Sequence, residues 1–227
     1  MVIYAFSPFI SSHYYSISLL AAYSEPFNSS TFFFFLNLQP NLSSSSSSVT
    51  HSCFPEEAAA LLQFKTSFSI RDTSSYYDYF GVKFYPKTNS WQEGSDCCSW
   101  DGVTCDNIKC QVIGLDLSCS QLYGGFPSDS SPFHLPHLQK LKLAFNRFNS
   151  SKMSSKFGQF ASLVYLNLSQ TVFAGQVPSE VSHLSKLVSL DLSLNDFLKF
   201  DKYTLERLVE NSTEVRQLFL DGIIMSS

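Results

Sequence analysis

The chain is poor in charged residues and lacks the long apolar runs that membrane-spanning helices need. Charged side chains make up 15% of its 227 residues and the formal net charge is -4, which predicts no basic surface for nucleic acid or anionic lipid. No Lys or Arg precedes Lys65. In this first part the apolar stretches are short, whereas a transmembrane helix needs ~20 apolar residues. We therefore expect no nucleic-acid partner and no membrane span in this chain.

Motifs of the common enzyme classes are also missing. The sequence has no Gly-x-Ser-x-Gly elbow, no phosphate-binding glycine loop and no His-Glu-x-x-His pair, so the usual hydrolase, nucleotide and zinc-peptidase chemistries lack their side chains. His134 and His137 have no third metal ligand placed with them. Asp116 and Asp191 are interpreted as surface residues of a repeat and not as an acid pair. The sequence predicts a non-enzymatic protein without a cofactor.

Residues 1–52 are interpreted as a leader. An apolar stretch over 32–42 precedes the serine run 43–48, an order that resembles the apolar core and small-residue end of a secretory signal, although the basic start is missing. A working signal would send the chain into the secretory pathway. The alternatives are a Ser-rich low-complexity leader of no function and a gene start assigned too far upstream.

A repeat of about 24 residues organises the chain after Gln111. Five Leu-x-Leu pairs recur with their first leucines 26, 25, 24 and 28 residues apart, at Leu115, Leu141, Leu166, Leu190 and Leu218. Two units close on Gly-x-x-Pro, at Gly124 and Gly175. Both leucines of a pair point to one side of an extended strand, so stacked units would bury them together, and Gly and Pro would turn the chain. The pattern predicts a solenoid.

A small polar residue stands five positions after the first leucine in four of the five units, as Ser120, Asn146, Thr171 and Asn195. An inward asparagine can donate to and accept from the backbone of a neighbouring coil, which pairs polar groups that a tight turn would otherwise bury unsatisfied. We expect these side chains to lie inside the solenoid.

An amphipathic helix of about 13 residues is predicted to start at Pro55, upstream of the repeats. Proline suits a first turn, and Glu56 and Glu57 suit the positive end of the helix dipole. The apolar positions recur at helical spacing, at Leu61, Leu62, Phe64 and Phe68. Because a solenoid needs an atypical end unit to cover its leucines, we assign 53–110 to an N-terminal cap and 111–227 to four repeats and a truncated fifth.

Several stretches resemble a known family. Residues 56–65 (EEAAALLQFK), Ser90-Trp91 and 96–105 (DCCSWDGVTC) resemble the N-terminal cap of plant extracellular leucine-rich-repeat proteins. Residues 112–120 (VIGLDLSCS), 155–160 (SKFGQF) and 177–187 (VPSEVSHLSKL) resemble the Cf-type receptor-like proteins of plant immunity. The resemblance covers about 53–227 and implies an α/β leucine-rich-repeat solenoid with a parallel concave sheet and a disulfide-bonded helical N-terminal cap.

The resemblance also implies a function and a location. Members of that family carry a signal peptide, many repeats, one membrane span and a short tail without a kinase. They recognise pathogen-derived protein or peptide ligands and signal defence through partner receptor-like kinases, at the plasma membrane or outside the cell. This chain stops in its fifth repeat, and we expect it to be the N-terminal part of such an ectodomain, as a truncated gene product.

A soluble inhibitor of secreted microbial cell-wall-degrading enzymes is the alternative function. Polygalacturonase-inhibiting proteins share the cap and the repeats that this chain resembles. The 43 residues between Cys53 and Cys97 are more than we expect of the inhibitors, which favours the receptor-like protein.

The six cysteines divide into two groups. By the family pattern Cys53 pairs with Cys97, and Cys98 pairs with Cys105. Zinc binding is the rival interpretation, although the Cys-x-x-Cys spacing of zinc sites is absent. Cys110 and Cys119 flank the first repeat strand, and extended chain between them would hold them up to ~30 Å apart, too far for a disulfide. We expect those two not to pair.

The side chains that point away from the leucines form the candidate ligand face, and three sequons in the repeat region predict glycosylation. The predicted face includes Asp116, Lys142, Phe145, Asn167, Gln170, Asp191 and Leu194, with Ser118, Cys119, Ala144, Ser169 and Ser193 also placed outward. The sequons start at Asn149, Asn167 and Asn211. Five coils offer roughly 400 Å², half the ~800 Å² per partner of a standard interface. The open last coil, with Leu218, Leu220, Ile223 and Ile224, predicts fraying and self-association.

Overall fold

The computed structural model describes residues 2–3, 52–71 and 83–226 of the chain. The predicted signal segment over 32–48 lies outside the described residues. The described residues contain two helices, α1 (Pro55–Thr66) and α2 (Lys202–Asn211). The strands are, in chain order, β1 (Val2–Ile3), β2 (Ser69–Ile70), β3 (Val103–Cys105), β4 (Val112–Asp116), β5 (Leu122–Tyr123), β6 (Lys140–Lys142), β7 (Tyr165–Asn167), β8 (Ala174–Gln176), β9 (Ser189–Asp191), β10 (Phe197–Asp201), β11 (Gln217–Phe219) and β12 (Ile224–Ser226).

A seven-stranded sheet in the order β1-β11-β9-β7-β6-β4-β3 contains one strand from each repeat. The five repeat strands β4, β6, β7, β9 and β11 are parallel, and their first leucines are paired with one another in register. The sequence alignment of the repeats is therefore the register of the sheet. The short strand β1 pairs with β11 at the far edge, and the cap strand β3 runs antiparallel to β4 at the near edge.

The leucines of the Leu-x-Leu pairs form the core of the solenoid. Leu115, Leu117, Leu143, Leu166 and Leu192 are each at most 1% exposed, and their counterparts in the other coils are buried or packed against the same core. The ladder continues past the strands, since Leu117 N–H donates to the carbonyl of Lys142 and Leu143 N–H donates to that of Asn167. Stacking of identical positions thus buries the apolar face that a single coil would expose.

The buried asparagines connect consecutive coils, as the sequence predicts. Asn146 Nδ2 donates to the carbonyls of Leu117 and Leu143, each at 2.8 Å, and its Oδ1 accepts from Leu122 N–H at 2.9 Å. Asn195 Nδ2 donates in the same way to the carbonyls of Leu168 and Leu192 at 2.9 and 2.8 Å. Each side chain therefore pairs backbone groups of its own coil and of the coil before it.

The side opposite the concave sheet is built mainly from 3-10 turns and phenylalanines. The turns cover Ser131–His134, Ser155–Gln159 and Ser179–His183, and a second parallel sheet, β8-β10-β12, lies on the return path of the chain. In the fourth repeat helix α2 takes the place of a turn, which accounts for the longer spacing of 28 residues before Leu218. Gly158 permits close stacking of two turns, since a Cβ there would meet the carbonyl oxygen of Glu180.

Helix α1 and two disulfides form the cap. Disulfides join Cys53 to Cys97 and Cys98 to Cys105, with Cα–Cα distances of 5.4 and 5.5 Å, the pairs that the resemblance implies. Helix α1 starts at Pro55 and has 12 residues. The stacked Trp91 and Trp100, with ring centroids 5.5 Å apart, pack into the same core.

Glu57 lies in the first turn of α1, as predicted, and also forms a contact outside the helix. Its side chain is only 7% exposed, and its carboxylate accepts a hydrogen bond from Val112 N–H at 3.0 Å. Burial raises the pKa of Glu57, against the opposing effects of this hydrogen bond and of His137. The residue therefore ties the cap helix to the first strand of the solenoid.

The fifth coil continues both parallel sheets. Strand β11 pairs with β9, β12 pairs with β10, and Leu218 is 4% exposed. Leu220 and Ile223 pack against the core, whereas Ile224 is 47% exposed. Pairing with β9 buries Leu218, which the expectation of an uncovered last coil did not foresee. Fraying of this coil stays a prediction.

Candidate ligand-binding face

The register of the sheet sorts the concave side chains into rows. The central row contains Asp116, Lys142, Asn167, Asp191 and Phe219, one position after the first leucine of each coil. The leading row, one position before that leucine, contains Thr104 of the cap strand and then Gly114, Lys140, Tyr165, Ser189 and Gln217. The predicted candidates Asp116, Lys142, Asn167 and Asp191 are thus brought side by side.

Three members of the central row hold the turn that follows their strand. Asp116 accepts from Ser118 N–H, Asn167 from Ser169 N–H and Asp191 from Ser193 N–H, at 2.9–3.1 Å. These are Asx turns, in which a short polar side chain pairs a backbone N–H two residues later. The signal is present in the sequence as Asp/Asn-Leu-Ser in three of the coils. These side chains therefore have a structural role in addition to their place on the face.

Asp116 forms the centre of a charged group. Its carboxylate lies 3.4 Å from Lys87 Nζ of the cap and 3.6 Å from Lys142 Nζ of the next strand. Burial raises the pKa of Asp116, but the charge of Lys87, the Ser118 hydrogen bonds and the charge of Lys142 outweigh it, so the pKa lies below its usual value. The carboxylate remains charged at neutral pH and neutralises part of the positive charge at this end of the face.

A further row has left-handed backbone that the sequence did not reveal. Cys119, Phe145, Gln170 and Leu194, four positions after the first leucine, have φ between 50° and 58°. Such φ values favour glycine or asparagine, and none of these residues is either. Leu194 is 53% exposed, whereas Phe145 is half-buried with its ring centroid 6.1 Å from that of Phe84. The left-handed backbone of this row therefore comes from the stacking of the coils and not from the conformational preference of its residues.

Several residues predicted to point outward are buried. Cys119, Ala144 and Ser169 are each at most 9% exposed. In a strand, successive side chains point alternately to the two faces. The left-handed turn ends this alternation, so the outward direction that we predicted fails after the second leucine of each coil. Cys110 and Cys119 are free and buried, as predicted.

Part of the segment between Cys53 and Cys97 packs on the first two coils. Tyr85 N–H donates to the carbonyl of Cys119 at 3.1 Å, Phe84 is buried beside Phe145, and Lys87 reaches Asp116. Earlier in the same segment, β2 pairs antiparallel with β5. The cap therefore contributes side chains to the near end of the face, which repeat spacing alone did not predict.

The three sequons lie at different places on the solenoid. Asn149 is exposed with φ of 51°, between the central strands and the return path. Asn211 is exposed at the end of α2, where its Nδ2 donates to the carbonyl of Ser182. Asn167 lies in the central row, half-buried, and its Oδ1 also accepts from the Ser169 hydroxyl at 2.8 Å. A glycan on Asn167 would therefore stand on the ligand face itself.

Among the described residues, three cysteine sulfurs lie close enough together to hold a metal ion. The sulfurs of Cys53, Cys97 and Cys98 lie within 4.8 Å of one another. The two disulfides account for these atoms, so the structure does not favour the zinc interpretation. Within the described ranges, no helix has the length and apolar character to cross a bilayer.

Comparison with a protein-family model identifies the cap. Residues 54–106 match the model of the leucine rich repeat N-terminal domain. Among curated proteins, the chain is 46% identical over 187 residues to the receptor-like protein Cf-9 of Solanum pimpinellifolium, an alignment that covers 80% of this chain and 22% of Cf-9. The chain thus spans about a fifth of the length of this relative.

Solved structures agree on the fold. The ectodomain of BIR2 from Arabidopsis thaliana superposes with a TM-score of 0.58 at 22% identity, covering 75% of this chain and 82% of BIR2. A chain from the BIR3–SERK2 complex of the same plant gives a TM-score of 0.52 at 25% identity, covering 74% and 82%. The chain has the leucine-rich-repeat fold. It is homologous to the N-terminal part of the Cf-9-type plant receptor-like proteins.

Proposed function

We propose that this chain is the N-terminal part of the ectodomain of a plant receptor-like protein that perceives pathogen-derived molecules and takes part in defence signalling. The observation that carries the proposal is the 46% identity to Cf-9, which extends over 80% of the chain. An open face of mixed polarity, with the charged group around Asp116 and the exposed Leu194, suits a protein or peptide partner.

A receptor-like kinase is the proposed signalling partner. One structural relative was solved in the BIR3–SERK2 complex, so a protein of this fold assembles with another protein there. The five coils of this chain give only roughly 400 Å² of concave face, half of a standard interface per partner. The proposal therefore assigns to this chain a share of the recognition surface and not the whole of it.

A chimaera tests the proposal. We would replace the matching N-terminal part of a Cf-9-type receptor-like protein with residues 53–226 and measure its arrival at the plasma membrane, its co-precipitation with a receptor kinase and its defence response. We expect all three to persist. A chimaera that reaches the membrane but neither co-precipitates nor signals would contradict the proposal.

The inhibitor alternative has its own measurement. The packing of residues 83–87 on the first coils makes the long cap segment part of the face, which favours the receptor-like protein. The isolated chain, assayed against a fungal polygalacturonase by release of reducing sugar, should leave the enzyme active. Stoichiometric inhibition would establish the alternative instead.

Secretion and glycosylation form a separate prediction. We expect the chain expressed in plant cells to enter the secretory pathway and to carry glycans at Asn149, Asn167 and Asn211, because the three sequon asparagines are exposed or half-buried. Glycosidase treatment should lower the apparent mass. Each Asn→Gln variant should remove one step of the mass ladder, whereas Asn107→Gln, outside any sequon, should change nothing. A single unshifted cytosolic band would contradict both parts.

A further inference from the structure

The leading row encloses a shallow slot at the cap end of the concave face. It is lined by four residues of the leading row and by the three residues that precede its repeat members, namely Thr104, Gly114, Lys140 and Tyr165, and Ile113, Gln139 and Val164. The slot exists because the row has no side chain at Gly114, between Thr104 and Lys140. A Cβ at Gly114 would lie 3.0 Å from Thr104 Cβ, so glycine both admits the cap strand β3 and leaves the gap.

The polar groups around the slot are placed to bind a ligand. None of the ion pairs among the described residues includes Lys140, in contrast to Lys87 and Lys142, which pair with Asp116. Lys140 Nζ lies 5.6 Å from the ring centroid of Tyr165, a cation–π contact between two residues that line the slot. Tyr165 is 40% exposed, and Thr104 and Gln139 are exposed as well.

We propose that this slot binds a carboxylate side chain of an extended acidic peptide. The ammonium of Lys140 supplies the complementary charge and can donate a charge-assisted hydrogen bond to the carboxylate. Ile113, Val164 and the ring of Tyr165 supply apolar contact for the methylene groups and the peptide backbone. The inference rests on the proposed function and names the ligand class for one part of its face.

A peptide suits the slot better than an anionic sugar. A uronate would present several hydroxyl groups, each of which needs a partner when it leaves water. The slot has three apolar contributors, Ile113, Val164 and the Tyr165 ring, and its polar groups beside Lys140 are Thr104, Gln139 and the Tyr165 hydroxyl, fewer than the hydroxyl groups of an oligouronate. Mostly apolar walls with a small number of placed polar groups are typical of sites for side chains of this kind.

Fluorescence anisotropy with the oxidised full chain tests the proposal. The probe is a fluorescein-labelled, acetylated and amidated octapeptide of alternating Glu and Val, and the matched probe has Gln in place of Glu. We expect the acidic probe to bind more tightly than the Gln probe and its affinity to fall with salt, as for an exposed charge pair. Lys140→Ala should weaken it about three- to tenfold, and Lys140→Glu should weaken it further.

Lys186→Glu is the matched control, because Lys186 is exposed and lies outside every strand of the described sheets. It makes the same charge change and should alter binding less than about twofold. Tyr165→Ala should weaken binding, whereas Tyr165→Phe, which keeps the ring, should weaken it less. Circular dichroism and mapping of both disulfides would verify that each variant is folded.

Three results would overturn the slot. The first is equal affinity for the acidic and Gln probes. The second is an equal loss of affinity for the acidic probe in the Lys140→Glu and Lys186→Glu variants. The third is Lys140-dependent binding of an oligouronate without binding of the acidic peptide. The chimaera and the glycosidase assay do not depend on Lys140. A chain that passes those assays but fails this one would retain the proposed function and lose only the slot.

Discussion

At the scale of single residues, two asparagines satisfy the backbone inside the solenoid. Asn195 is 1% exposed and makes bonds to the carbonyls of Leu168 and Leu192, while its Oδ1 accepts from Phe173 N–H at 3.0 Å and from the Thr171 hydroxyl at 3.1 Å. Asn195 therefore contributes to the free energy of unfolding by pairing buried backbone groups of two coils.

We predict that Asn195→Ala lowers the free energy of unfolding by about 2–4 kcal/mol, because it leaves a buried N–H and buried carbonyls unpaired. Urea unfolding followed by circular dichroism measures the change. Asn107→Ala, at an exposed turn position, should stay within about 0.5 kcal/mol of the parent chain. Equal stability of the two variants would show that the asparagine bonds between coils add nothing.

At the scale of elements, the side chain of Asp201 caps the N-terminus of helix α2. The Asp201 side chain accepts from Thr204 N–H at 2.8 Å and from Gln176 Nε2 at 2.9 Å. These bonds, first of all the one from Thr204 N–H, hold the pKa of Asp201 below its usual value. A lowered carboxyl pKa stabilises the folded chain above the ordinary Asp pKa, and that contribution is lost as the pH falls through the lowered value.

We predict that Asp201→Ala destabilises the fourth coil by about 1 kcal/mol at neutral pH. The difference should shrink as the pH falls below the ordinary Asp value of 3.8, because the parent cap is then protonated. Asp201→Asn keeps an acceptor for Thr204 N–H and should lose less stability. Hydrogen exchange of α2 at several pH values measures the effect. A pH-independent loss would mean that packing, not the charged cap, is responsible.

At the scale of the whole molecule, the cap stabilises the open end of the solenoid through covalent and polar links. The Cys53–Cys97 disulfide closes a separation of 44 residues and Cys98–Cys105 closes one of 7. Buried Glu57 adds a hydrogen bond from the cap helix to Val112 of the first repeat strand. Loss of the cap would expose Leu115 and the leucines stacked behind it.

We predict that Cys53→Ser with Cys97→Ser costs about 4 kcal/mol and that Cys98→Ser with Cys105→Ser costs about 2.5 kcal/mol, because the longer loop loses more unfolded-state entropy on closure. Urea unfolding monitored by tryptophan fluorescence reports on the cap through Trp91 and Trp100. The two double variants are controls for one another, since each removes one bridge. A larger loss for the shorter loop would contradict the loop-length argument.

The sequence by itself determined the repeats, their register and the core. Leu-x-Leu and the inward Asn are local patterns with a fixed spacing, and identical positions stack when the coils stack, so the spacing alone aligns Leu115 to Leu218 with one another. The start of α1 at Pro55 and the central row of the face followed from equally local signals. The Asx turns at Asp116, Asn167 and Asp191 have a local signal as well, because each of these residues is followed by Leu-Ser.

The tertiary structure alone decided the features that depend on residues far apart in the chain. The left-handed φ of Phe145 and Leu194 comes from the stacking of coils, against the preference of those residues. Glu57 is buried because β4 lies against its helix, and the packing of Phe84 and Lys87 on the first coils joins parts of the chain separated by about 30 to 60 residues. The slot beside Gly114 is lined on the cap side by Thr104, because the cap strand β3 pairs there. Such contacts leave no periodic trace in the sequence, since each is made once, between segments that are neighbours only in space.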